Sequence, residues 1–85
     1  MYRVLLRPPT QEFLRKLRDR ALAARLVGAM RGLANTPRPP GCDKLAGVDN
    51  LYRVRVGDSR IVYQVQDQVL IVLVVKIGHR REVYR

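Results

Sequence analysis

Eighty-five residues make a single domain, 1–85, near the lower end of what holds a core without metals or disulfides, and 47% apolar content suffices for that core. Seventeen basic residues against seven acidic give a net charge of +10, which attracts polyanions; nucleic acid is the commonest, but an acidic protein or simple solubility fits the same number. One cysteine excludes an intrachain disulfide and no Cys/His set suggests zinc, and no apolar run approaches the ~20 residues of a membrane span or the pattern of a signal peptide.

In chain order, Tyr2 to Leu6 is a short β-prone run stopped by Arg7-Pro8-Pro9. Thr10 offers a side-chain oxygen as helix N-cap, which predicts a helix over about 11–18 with Phe13, Leu14 and Leu17 on one face. Asp19 is placed to cap a second helix, in which Leu22, Leu26, Met30 and Leu33 recur at helical spacing. Arg15, Lys16, Arg18, Arg20, Arg25 and Arg31 fall on the outside of this pair. It reads as an αα-hairpin or as one bent helix. Asn35-Thr36-Pro37-Arg38-Pro39-Pro40-Gly41 then breaks helix and strand alike, because proline fixes φ and removes a donor. The loop is expected to continue to about Asn50, tacked to the core by Leu45.

Three strands are expected next, at about 51–57, 60–66 and 69–77. Tyr52-Arg53-Val54-Arg55-Val56 alternates strictly, so Arg53 and Arg55 leave one face while the tyrosine and valines leave the other. Gly57-Asp58-Ser59 marks a hairpin turn. From Arg60 to Gln66 the alternation resumes, with Ile61, Tyr63 and Val65 on the apolar side and Arg60 on the other. Val69 to Ile77 is apolar almost throughout and reads as the central strand, buried on both faces. Gly78-His79-Arg80-Arg81-Glu82-Val83-Tyr84 follows and offers one more short strand. The expected fold is α+β in the order β-α-α-β-β-β(-β). A two-helix hairpin packs on one face of a small, mainly antiparallel sheet. The other face, with Arg53, Arg55 and Arg60, is expected to be concave, basic and open to solvent.

Lys44-Leu45-Ala46-Gly47, the stretch from Tyr52 to Tyr63, and Gly78 to Tyr84 together resemble the RelE/ParE-type toxins of type II toxin–antitoxin pairs, on the RelE-like branch. The resemblance spans about 2–84. Each motif is weak alone; their order and spacing are specific. It implies a ribosome-dependent endoribonuclease that enters the decoding site, cuts messenger RNA and is silenced by a cognate antitoxin. The single cysteine fits a reducing cytoplasm, and this route of cleavage needs no metal or cofactor. Arg53, Arg55, Arg60, Arg80 and Tyr84 match functional residues of the family; Arg60, Arg80 and Tyr84 are expected to be catalytic, and Arg53 and Arg55, with Lys44 as a further candidate, to bind RNA. The best-known ribonuclease pattern of the family has lysines where this chain has Arg53 and Arg55. Both arginines bind phosphate, but arginine does not give up a proton near neutrality, so the general base is left open.

His79 titrates near neutrality when unperturbed and is the natural acid–base candidate. Tyr84 has the ring to stack on a base or ribose. Each has an ordinary reading as well: the arginines as surface charge, His79 as a surface histidine, Tyr84 as packing for the chain end. Tyr52 and Tyr63 fall on the core face and read as packing residues, and Asp58 as a turn aspartate. Two other functions share this fold: a ParE-like inhibitor of DNA gyrase, and a degenerate relative that binds antitoxin or nucleic acid without cutting.

Overall fold

The computed structural model describes residues 1–79. Seven elements follow one another: β1 (Arg3–Leu6), α1 (Pro8–Lys16), α2 (Arg20–Gly32), β2 (Asp43–Lys44), β3 (Leu51–Val56), β4 (Ser59–Gln66) and β5 (Ile71–His79). The strands form one sheet in the order β1-β5-β4-β3-β2, in which only the β1–β5 pair is parallel. The α+β architecture expected from the sequence is the one found. The helices are two, separated at Leu17–Asp19.

The first helix starts earlier than expected. Pro8 and Pro9 open it, and Arg7 stands at the N-cap without a side-chain bond. Proline suits a first helical turn, since its missing N–H lacks a partner there in any helix and its φ is already helical. Thr10 is therefore inside α1 and not at its cap. It is buried, and its hydroxyl donates to the Arg7 carbonyl at 2.7 Å. The cap of α2 is as expected, with the Asp19 carboxylate accepting from the Leu22 N–H at 3.0 Å.

Leu26, Met30 and Leu33 descend from α2 onto Tyr52, Val56, Ile61, Tyr63, Val65, Val72, Val74 and Ile77, forming the core. Phe13, Leu14, Leu17 and Leu22 pack against it half-buried. The six basic residues expected on the outside of the helices are all exposed.

β4, not β5, is the central strand. Val69 and Leu70 lie outside β5 in the preceding turn, 59% and 48% exposed, and Leu70 adopts φ +54. Within β5, Val72 and Val74 are buried while Ile71, Leu73 and Val75 are half-buried. An apolar run marks an interior strand but does not say which interior strand is the middle one.

The β3–β4 hairpin turns through Gly57 and Asp58, with Val56 paired to Ser59. Gly57 has φ +60, and a Cβ there would meet the Arg25 guanidinium 3.3 Å away. The positive φ favours glycine at that position, while the exposed Arg25 side chain can give way.

The proline-rich loop is fastened to the sheet by side chains. Arg38 places its guanidinium over the Tyr52 ring, 5.2 Å from the centroid, and its Nε donates to the Tyr52 hydroxyl at 2.9 Å. The same guanidinium makes a two-pronged ion pair with Asp67, which also accepts from the Tyr2 hydroxyl. These bonds, that of Arg38 first, hold the Asp67 carboxyl below its ordinary value of 3.8. A depressed folded-state value contributes stability above the ordinary value and loses it as pH falls through the folded one. The melting-temperature gap between wild type and Asp67→Asn should therefore narrow as pH drops below the ordinary carboxylate value and close once the pH has passed the depressed folded-state value. A gap that persists in acid would mean that the Asp67 charge is not what fastens the loop.

Candidate functional site

The face of the sheet away from the helices is organised by strand register. In the β3–β4 ladder Arg55 stands directly opposite Arg60, and Arg53 opposite Val62. Across the β4–β5 ladder Arg60 faces Gly78, and Val62 faces Lys76. Arg53, Arg55 and Arg60 thus come together as their alternation implies. Like charges placed directly opposite one another repel, so this arrangement costs stability.

The face is less open than expected. Arg60 is 5% exposed, and its Nη1 donates to the Ser59 carbonyl at 3.2 Å. The Arg53 side chain is 12% exposed. Arg60 belongs to the middle strand, whereas Arg55 on β3 remains exposed. The guanidinium of Arg60 is presented from within the sheet surface and does not wave above it.

Two groups of this face escaped the sequence reading. Asp43 pairs in register with Arg53, and its Oδ2 accepts from Arg53 Nη2 at 2.9 Å. That bond, with the charges of Arg55 and Arg60 adding to it against a smaller opposing effect of burial, holds the Asp43 carboxyl below its ordinary 3.8. Lys76 reaches this side through an irregularity. Val62 pairs with Lys76 but Tyr63 pairs with Val74, so Val75 is an extra residue in β5. This bulge lets Val74 and Ile77 both face the core while Lys76 turns out to solvent beside the arginines.

Lys44 does not join this row. Its register partner is Tyr52, on the opposite parity to Arg53, and it is exposed at the sheet edge. His79 ends β5 opposite Ser59. Arg80, Arg81, Glu82 and Tyr84 lie outside the described residues. Tyr52 and Tyr63 are buried packing residues, stacked with centroids 5.9 Å apart. Beside the exposed end of β3, between α2 and the proline-rich loop, lies a cleft of about 640 Å³ lined by Leu33, Thr36, Pro39, Pro40, Val54 and Arg55.

A sheet with its core on one face and a cluster of arginines on the other defines a small α+β domain with one basic face. Comparison with known proteins places it more closely. The family described as "ParE toxin of type II toxin-antitoxin system, parDE" matches residues 4–84. A putative RelE-like toxin protein of Escherichia coli is 32% identical over 81 residues, covering 93% of this chain and 83% of its own. Among solved structures, the archaeal RelE–RelB complex from Pyrococcus horikoshii superposes with a TM-score of 0.81 at 28% identity, over 93% of this chain and 94% of that one. The isolated E. coli RelE toxin gives 0.81 at 27% identity, over 99% and 92%. The chain belongs to the RelE/ParE toxin family of type II toxin–antitoxin systems.

Proposed function

We propose that this protein is a ribosome-dependent endoribonuclease that cuts messenger RNA in the decoding site, inhibits translation and is silenced by a cognate antitoxin. The observation that carries the reading is the register-enforced grouping of Arg53, Arg55 and Arg60 on one face. RNA supplies its own nucleophile, the ribose 2′-OH. Its oxygen attacks phosphorus, the P–O5′ bond breaks, and the 5′-oxygen leaves with the bonding pair. The protein must orient the 2′-OH and stabilise the dianionic phosphorane between these events. Guanidinium forks suit that task, because they hold two phosphate oxygens at once and keep their charge at any physiological pH.

Arg60, nearly buried, is the preorganised member and is assigned to the scissile phosphate together with Arg80. Arg55, exposed beside the apolar cleft, is assigned to the adjoining backbone, with a nucleobase in the cleft. Arg53 completes the RNA contacts of this face, Tyr84 stacks on a base, and His79 is the candidate proton acceptor. The alternative for the proton is solvent or the ribosome, with catalysis resting on in-line orientation of the 2′-OH.

A ParE-like reading, gyrase inhibition without cutting, has one observation in its favour: the family that matches the chain is described by its ParE members. Induction of the chain in growing cells, with mapping of new 5′ ends on messenger RNA, separates the two. Clustered cuts within translated frames are expected. DNA breaks with intact messages would establish the ParE reading, and absence of toxicity a degenerate binder. The antitoxin is expected to cross the arginine face or displace the segment from His79 to Tyr84, since either disables the site. The +10 charge adds steering, so its association rate should fall as salt rises.

A further inference from the structure

We infer that Asp43 is a resident counter-charge of the arginine face: its carboxylate occupies the Arg53 guanidinium as a phosphate would, and RNA must displace it to engage all three arginines. The inference rests on the reading of this face as an RNA-binding surface and adds a residue that sets its affinity.

Three observations support it. The register puts Asp43 and Arg53 directly across from each other on neighbouring strands, so the fold brings the two side chains within reach of one another. The carboxylate is the outer member of the pair, 45% exposed against 12% for the Arg53 side chain, so an incoming polyanion meets the acid first. Among the described residues the other ion pairs lie elsewhere: Glu12 with Arg15 and Lys16 on α1, and Asp67 with Arg38 under the proline-rich loop. In a chain with seventeen basic and seven acidic residues, an acid set among these arginines is a specific placement.

The placement has a physical rationale on both sides of the binding equilibrium. Without ligand, Asp43 offsets the repulsion among Arg53, Arg55 and Arg60. With RNA bound, its negative charge opposes the phosphates and lowers affinity. A general-base role suits it poorly, because a carboxylate held below its ordinary value is a weak proton acceptor at neutral pH. Asp43 acts through Arg53 and is a positioning residue.

The test is a salt series. Binding of the purified chain to a 12-nucleotide single-stranded RNA with 2′-O-methyl riboses, which offers no nucleophile, is followed by fluorescence anisotropy. Asp43→Asn keeps the shape and an acceptor oxygen but removes the charge. It should tighten binding about 2- to 5-fold at low salt, the scale of one exposed charge pair. The slope of log affinity against log salt should steepen by about 0.7, the value for one further phosphate neutralised on a single strand. Asp43→Glu should keep the wild-type slope. A merely structural role would leave the slope alone, so an unchanged slope or weakened binding in Asp43→Asn overturns the inference. Arg55→Ala serves as the reference for the face itself and should flatten the slope by about 0.7. If it does and Asp43→Asn does not steepen it, the RNA face stands and the counter-charge falls; if neither slope moves, both fall.

Discussion

Arg60→Ala is expected to lower single-turnover cleavage of ribosome-bound message by about 10²-fold or more, the cost of losing one preorganised donor to a developing oxyanion. The expectation follows from position. Arg60 lies on the middle strand, opposite Arg55 on one side and Gly78 on the other, and is 5% exposed. A guanidinium so confined is already ordered before substrate arrives, so little entropy is lost when it engages the phosphorane. The burial also means that Arg60→Ala will not be neutral for folding, as an exposed charge would be. Removal of a packed side chain from the central strand lowers the melting temperature, and the rate must be compared with Arg60→Lys, which keeps charge and most of the bulk but loses the fork. Arg60→Lys should recover the fold and only part of the rate. Arg55→Ala, at an exposed site, should weaken substrate binding with little change in stability, within about 0.5 kcal/mol. Folded Arg60→Ala protein that cuts at the wild-type rate would remove this residue from the site.

What the sequence made legible was what period-two and period-3.6 patterns encode. The alternation of Tyr52 to Val56 put the arginines on one face and the tyrosine and valines on the other, and the ladder keeps that division. Asp19 announced its cap because an acidic residue before an apolar helical run has one favourable use. Other features depend on contacts distant in sequence. Asp43 sits in a two-residue strand inside what reads as loop, and two residues carry no periodicity; only the pairing of Asp43 with Arg53 gives it a face. Lys76 was hidden by the bulge at Val75, since the alternation of Val72 and Val74 would turn position 76 toward the core. The burial of Arg60 is a tertiary property, which local composition does not specify. Thr10 was misplaced because a threonine after two prolines resembles a cap, whereas the prolines themselves begin α1.

The division of labour across the sheet explains how a face can concentrate charge without unfolding the domain. The apolar contacts with α1 and α2 all lie on one side, and the repulsion on the other is spread over three strands and offset at Asp43. Residues of the core side should therefore govern stability with small effects on chemistry, the reverse of Arg55.

Tyr63 puts that division to its strongest test. It is fully buried, stacks on Tyr52, and its hydroxyl donates to the Pro37 carbonyl at 2.8 Å, so it roots the proline-rich loop as well as the core. Burial is the main cause that raises its phenol above the ordinary value, so at neutral pH it is the neutral donor this bond requires. Tyr63→Ala removes a core aromatic, which typically costs about 3–5 kcal/mol. A chain of this length has only roughly 4–13 kcal/mol of stability in total, so that variant should lose a large share of it and melt far below wild type. Tyr63→Phe keeps the ring and removes only the donor, leaving the Pro37 carbonyl without it at a cost of about 1–3 kcal/mol. At about 4–8 °C per kcal/mol for a domain of this size, the Phe variant should melt several degrees early. Its cleavage rate, measured below its melting range, should stay within a few-fold of wild type, because the lost bond lies on the helix side of the sheet. An unchanged melting temperature would show that the Tyr63–Pro37 bond is not what fastens the loop. A large loss of rate in folded Tyr63→Phe would show that the two faces of the sheet are not independent.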